Sequence, residues 1–164
     1  MTSKSIIKSI LIVLVIIINI GCDQVSKKIV RQTVHPYETI HLLSDHLTVT
    51  RVENSGAFLS AGDSLPQSTK HIFLSLVPLI AVVFGLIYVF TKPGIPNYML
   101  TAFCFVIGGG IGNLFDRITY GSVTDFLHIR FGAFQTGIFN LADVSIMTGI
   151  SIILLQLLLK RKTA

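Results

Sequence analysis

Four long apolar runs and one short alternating stretch organise this chain. The runs cover about residues 6–22, 71–90, 98–115 and 139–159. Each falls within the range of about 17–25 residues in which apolar helices cross a bilayer. Between the first two, "HLTVTRVEN" (46–54) sets Leu47, Val49 and Val52 among Thr48 and Thr50. This alternation predicts a half-buried strand, closed by a turn at Asn54-Ser55-Gly56 and partnered by "ETIHLL" (38–43). The expected fold is a mainly α membrane protein: four transmembrane helices with a small extracytoplasmic β-sheet. Residues 1–164 form one membrane domain, with outer loops at about 23–70 and 116–138, and no internal repeat is visible.

Composition agrees with the spans. The chain is 51% hydrophobic and 13% charged, with a mean hydropathy of +0.74. A soluble domain carries roughly twice that charge fraction. The net charge of +5 comes from scattered basic residues without a stripe or interleaved aromatics, so no nucleic-acid partner is expected. Of the two cysteines, Cys104 lies inside an apolar run, and no bridge to Cys22 is expected.

Charge is distributed by side. The chain ends and the short turn after the second run carry Lys4, Lys8, Lys92, Lys160, Arg161 and Lys162, and no acid. The positive-inside rule then puts both termini in the cytoplasm. All 8 acidic residues fall in the two longer loops or at the span ends beside them. Acidic chemistry is therefore expected near the outer leaflet.

Asp23, Asp116 and Asp143 collect at outer span ends, and Asp125 sits in the loop between the third and fourth runs. One such aspartate most often marks a helix end in the headgroup zone. Four of them, gathered with Asn54, Asn113 and Asn140, point to function, because ionisable groups at membrane depth are costly. In "GGGIGNLFDR" (108–117), Gly108 and Gly112 form a small-xxx-small pair for close helix approach. Asn113 and Asp116 share one wall at i, i+3, and Arg117 beside Asp116 is available to pair with a carboxylate or a lipid phosphate, the expected mechanism using it with Asp116 as a supporting polar pair. In "FNLAD" (139–143), Asn140 is the expected N-cap and Asp143 lies in the first turn, where a helix terminus favours a carboxylate. Ala142 is expected to leave the backbone uncrowded for a substrate. Asp125, as a loop acid, is expected to be buried under the outer sheet.

Two carboxylates close together share a proton, so one can activate water while the other donates to a carbonyl. That chemistry hydrolyses peptide bonds. No His pair has i, i+4 spacing, and neither HExxH nor Gly-x-Ser-x-Gly occurs. Zinc and a serine nucleophile are not expected, nor is any cofactor.

At these residues the chain resembles the lipoprotein signal peptidase (signal peptidase II) family. The resemblance rests on "CDQVSK" (22–27), "ENSGAF" (53–58), "GGGIGNLFDR" (108–117), "GSVTDF" (121–126) and "FNLAD" (139–143), in the family's order and spacing. It implies a multi-pass aspartic endopeptidase of the bacterial cytoplasmic (inner) membrane. The implied substrates are diacylglyceryl-modified prolipoproteins, cut just before the lipidated cysteine. The other partners implied are membrane lipids, and a monomer is expected. By position, Asp125 and Asp143 correspond to the catalytic pair. Asp23, Lys27, Asn54, Gly56, Asn113, Asp116, Arg117, Asn140 and Ala142 match surrounding motif positions. Two departures stand out: Phe58 follows Ala57 directly where the family often has a second Ala, and His128 stands where it often has an acid.

Rival readings come from other classes. Gly21-Cys22 after an apolar run resembles a lipoprotein processing site, but Asn19 stands where an apolar residue is expected. A small proton-coupled transporter or channel subunit also uses intramembrane acids. It would need polar groups near mid-span, where Ser75 and Thr148 are thin support, since the acids cluster at one leaflet. A purely structural membrane scaffold is the third alternative.

Overall fold

The structure is a computed structural model that describes residues 3–36, 38–43, 46–56 and 66–161. Ala57, Phe58 and Lys162, invoked above, lie outside the described residues. Helix α1 (Ser3–Thr33) is followed by strands β1 (Thr39–Leu42) and β2 (Leu47–Asn54). A second helical span begins as α2 (Gln67–Lys70), widens into π-helical turns at His71–Leu76 and continues as α3 (Val77–Thr91). The wide turns precede Pro78, which cannot donate to the carbonyl a turn back and whose ring crowds it. Helix α4 (Asn97–Tyr120), strands β3 (Val123–Phe131) and β4 (Phe134–Gln135), and helix α5 (Leu141–Arg161) complete the chain. Four helical segments, Ile6–Thr33, Ser68–Thr91, Asn97–Tyr120 and Leu141–Leu159, are long and apolar enough to span a membrane.

Two boundaries differ from the sequence expectation. Helix α1 does not end at Cys22 but runs on to Thr33. The extension is amphipathic: Asp23 and Lys27 turn inward and are fully buried, while Val25 and Ile29 are exposed on the opposite side. Asp125 is not in a loop. It lies in β3, inside a sheet ordered β1-β2-β3-β4, antiparallel throughout. The expected pairing of β1 with β2 is present, with Ile40 opposite Val49. A bulge in β2 between Val49 and Val52 shifts the register and places Val52 opposite Asp125.

Helix α4 is the central post, packed against α1, α3 and α5. Its glycines permit this. A Cβ on Gly112 would sit 2.6 Å from Asp23 Oδ2 of α1, and one on Gly109 would strike the Ala142 carbonyl of α5. Gly121, at φ 79°, ends α4 in a left-handed cap, its N–H donating to Arg117 O at 3.1 Å. The chain then turns directly into β3. Phe126 and Leu127 both donate to Phe139 O, at 3.0 and 2.8 Å, which pins β3 to the segment leading into α5. An aliphatic core of Ile12, Ile16, Val82, Val89, Leu100 and Ile107 fills the end of the bundle away from the sheet.

Candidate active site

The four helix-end and strand acids meet between α1, α4, α5 and β3. Asn140 is the hinge of the arrangement. Its side-chain Oδ1 accepts from Asp143 N at 3.0 Å, and Asp143 Oδ2 accepts from Asn140 N at 3.2 Å. This is a reciprocal capping box at the start of α5, so the capping chemistry that begins the helix also fixes Asp143. Asn140 Nδ2 donates to Asp125 Oδ1 at 2.6 Å and to Asn113 Oδ1 at 3.1 Å. One residue thus holds both carboxylates.

Each aspartate receives a second donor. Asn113 Nδ2 donates to Asp143 Oδ1 at 2.8 Å, so both Asp143 oxygens act as acceptors. Asn54 Nδ2 donates to Asp125 Oδ2 at 2.8 Å. The Asn54 amide is oriented by the turn after β2, where Gly56 N donates to Asn54 Oδ1 at 2.9 Å. Asp125 is 4% exposed. Burial pushes its carboxyl up to about 6, the amides of Asn54 and Asn140 and the cation of Lys27 oppose this, and the nearby Asp143 charge adds to it.

Behind the pair lies a buried charge cluster. Lys27 Nζ contacts Asp23 Oδ2 at 2.8 Å, Asp116 Oδ2 at 3.1 Å and Asn113 Oδ1 at 3.0 Å. Arg31 reaches Asp116 Oδ2 at 3.1 Å, donates to Thr124 Oγ1 at 2.7 Å and covers the Tyr120 ring at 4.0 Å. Two carboxylates and two cations balance, as burial of charge demands. Asp23 Oδ1 also accepts from Ala142 N at 2.9 Å, so a residue of α1 helps cap α5.

Two sequence expectations are corrected here. Asp116 pairs with Lys27 and Arg31, whereas Arg117 donates to Gly56 O at 3.1 Å. Successive residues on a helix point about 100° apart, so Asp116 faces α1 while Arg117 faces the loop after β2. Ala142 is fully buried against Gly112, where it serves helix contact instead of leaving room for a substrate. Sequence reasoning also missed Gln24, which donates to Asp23, Gly112 O and Asp116 at 3.1 Å each, and Arg31. The signal for Arg31 was present: Asp23, Lys27 and Arg31 recur every four residues and form one helical stripe. His128 lies half-buried on β3, and its buried Nδ1 has no hydrogen-bond partner among the described residues. Cys22 and Cys104 are both free.

A membrane bundle whose polar residues converge on two hydrogen-bonded aspartates has the makings of a multi-pass membrane enzyme. Solved structures carry the same fold. A bacterial membrane enzyme determined by the in meso method at 2.3 Å superposes with a TM-score of 0.83 at 24% identity, covering 93% of this chain and 90% of the other. The chain belongs to the signal peptidase II family, whose model, "Signal peptidase (SPase) II", matches residues 13–159. Its relatives include the lipoprotein signal peptidases of Moorella thermoacetica, 32% identical over 85% of this chain and 87% of that protein, and of Clostridioides difficile, 35% identical over 85% and 88%. The lipoprotein signal peptidase of Halothermothrix orenii is 33% identical over 90% of this chain and 94% of its own length.

Proposed function

We propose that this membrane peptidase removes signal peptides from diacylglyceryl-modified prolipoproteins by aspartic catalysis, cutting before the lipidated cysteine. The observation that carries the reading is the bridging of Asp125 and Asp143 by Asn140. Burial raises the Asp125 carboxyl to about 6, which keeps a fraction protonated near neutral pH, and in this scheme that protonated form is the acid. Asp143, an acceptor at both oxygens, takes a proton from water. The water oxygen bonds to the scissile carbonyl carbon while Asp125 protonates the carbonyl oxygen. Collapse of the tetrahedral diol breaks the C–N bond: the proton held by Asp143 passes to the leaving amine, and one diol hydroxyl returns its proton to Asp125 as the carbonyl re-forms. No cofactor or metal enters this scheme.

A groove along α5 supports a site that opens toward lipid. The groove, of about 580 Å³, starts at Thr136, Phe139 and Asp143 and follows α5 past Met147 to Leu155. Its apolar length suits an acyl chain or an apolar signal helix delivered from the bilayer. The charge map supports both termini in the cytoplasm and the site near the outer leaflet. The transporter reading is not favoured, because the curated relatives are named as lipoprotein signal peptidases.

The test is incubation of the purified chain with a diacylglyceryl prolipoprotein peptide and with its unlipidated form. Cleavage before the lipidated cysteine is expected for the first and not for the second. Equal cleavage of both would remove the lipid from the substrate definition. For orientation, a cysteine placed at Gly132 should react with an impermeant maleimide in intact cells and one at Gly94 should not; the reverse pattern contradicts the topology.

A further inference from the structure

Lys27 is fully buried and lies outside the aspartate pair, yet hydrogen bonds lead from its ammonium through Asn113 and Asn140 to both aspartates. An ammonium has only donors, so the Asn113 atom facing it must be the carbonyl oxygen. Asn113 then has to present its amide nitrogen to Asp143 Oδ1. Asn113 Oδ1, the oxygen that faces Lys27, also accepts from Asn140 Nδ2, whose second contact is Asp125 Oδ1. The two asparagine amides cannot be reversed without setting donor against donor at Lys27 and at the Asp143 N–H.

We propose that Lys27 is a positioning residue that orients and polarises the Asn113–Asn140 amide pair, and through it sets the hydrogen bonds of both Asp125 and Asp143. The inference rests on the aspartic reading above. It assigns the buried cation a part in turnover beyond neutralising Asp23 and Asp116. Hydrogen bonds in series strengthen one another, most of all when a charge stands at the head of the chain. The charged groups that act on Asp125 are Asp143 of α5, Lys27 of α1 and Arg117 of α4, beside the amides of Asn54 and Asn140. Lys27 is the cation that draws the Asp125 carboxyl down, so its removal lets that carboxyl rise further.

The experiment compares the full-length Lys27→Met, Asn113→Ala and double variants on the lipidated peptide across pH. Lys27→Met should lower kcat by about 10²-fold, the cost typical of a small misplacement of reacting groups, with little change in KM. The alkaline limb of the kcat profile should move to higher pH, because the protonated form of Asp125 persists longer. In the Asn113→Ala background the same substitution should add little. A purely structural Lys27 would lower melting temperature and yield without moving the limb, and its effect would multiply with that of Asn113→Ala; either result overturns the inference. If Lys27→Met does not accumulate, the charge-balanced Asp23→Asn/Lys27→Gln pair, which leaves Asp116 with Arg31, answers the same question. Asp125→Asn and Asp143→Asn run in parallel. Near-normal turnover in either defeats the aspartic reading itself, whereas two dead aspartate variants beside a fully active Lys27→Met defeat only the positioning role.

Discussion

The two ends of the helix bundle use the same helices in opposite ways. Away from the sheet, α1, α3 and α4 meet through Ile12, Ile16, Val82, Val89 and Leu100. Hydroxyls there, such as Thr91 and Thr101, bond only to their own helix. Near the sheet, α1, α4 and α5 meet through Asp23, Lys27, Asn113, Asp116 and Asn140, all buried and all hydrogen-bonded across helices. Lipid tails are as apolar as leucine, so burial alone gives the first end little preference for one partner over another. The polar end has no substitute partners in hydrocarbon. It therefore fixes helix register and holds Asp125 and Asp143 with one set of bonds.

The sharpest break in that contrast is expected at the aspartate pair. Asp125→Asn and Asp143→Asn each keep size but remove an acid–base group and turn one acceptor oxygen into a donor, so each should lower the initial cleavage rate by about 10²–10⁴-fold with folded protein still present. Asp116→Asn should act on stability first. It weakens the contacts to Lys27 and Arg31 and leaves buried cations in excess, a loss of about 3–5 kcal/mol, read as a lower melting temperature together with lower yield.

A smaller effect is expected from pH. Because the folded-state value of Asp125 lies above its ordinary 3.8, the folded protein binds this proton more tightly than the unfolded chain. That contribution is complete below the ordinary value and is lost as pH rises through about 6. The melting temperature of the wild type relative to Asp125→Asn should therefore fall across this window; a difference that grows with pH would contradict the assignment. The smallest effect is expected at the apolar end. Val82→Ala should leave cleavage within about twofold of wild type, since the truncated site faces packing that lipid can replace. A loss as large as that of Asp116→Asn would erase the distinction between the ends.

The spans, the β1–β2 pair and the polar end were legible because each is written locally. Apolar runs fall within the spanning range, Thr and Val alternate, and Asn140 precedes Asp143 at cap spacing. What escaped depended on partners distant in sequence. Helix α1 continues past its apolar run only because α4 supplies Asn113 and Asp116 to receive Lys27. Asp125 looked like a loop acid because β3 is flanked by Gly121 and Gly132 and its alternation is broken at Thr124-Asp125 and Phe126-Leu127, although Leu127, Ile129 and Phe131 carried a strand signal. Arg117 was assigned to its neighbour Asp116, when the helical turn separates them and the cross-helix lysine was the nearer cation.

The central claim is that Asp125 and Asp143 act as one unit, and the most direct measurement is the initial cleavage rate of both single variants and of the Asp125→Asn/Asp143→Asn double variant on the lipidated peptide. If one water-activating unit is lost each time, the double variant should be about as slow as the slower single variant. A double variant slower by the product of the two separate losses, or near-normal cleavage by either single variant, would contradict it.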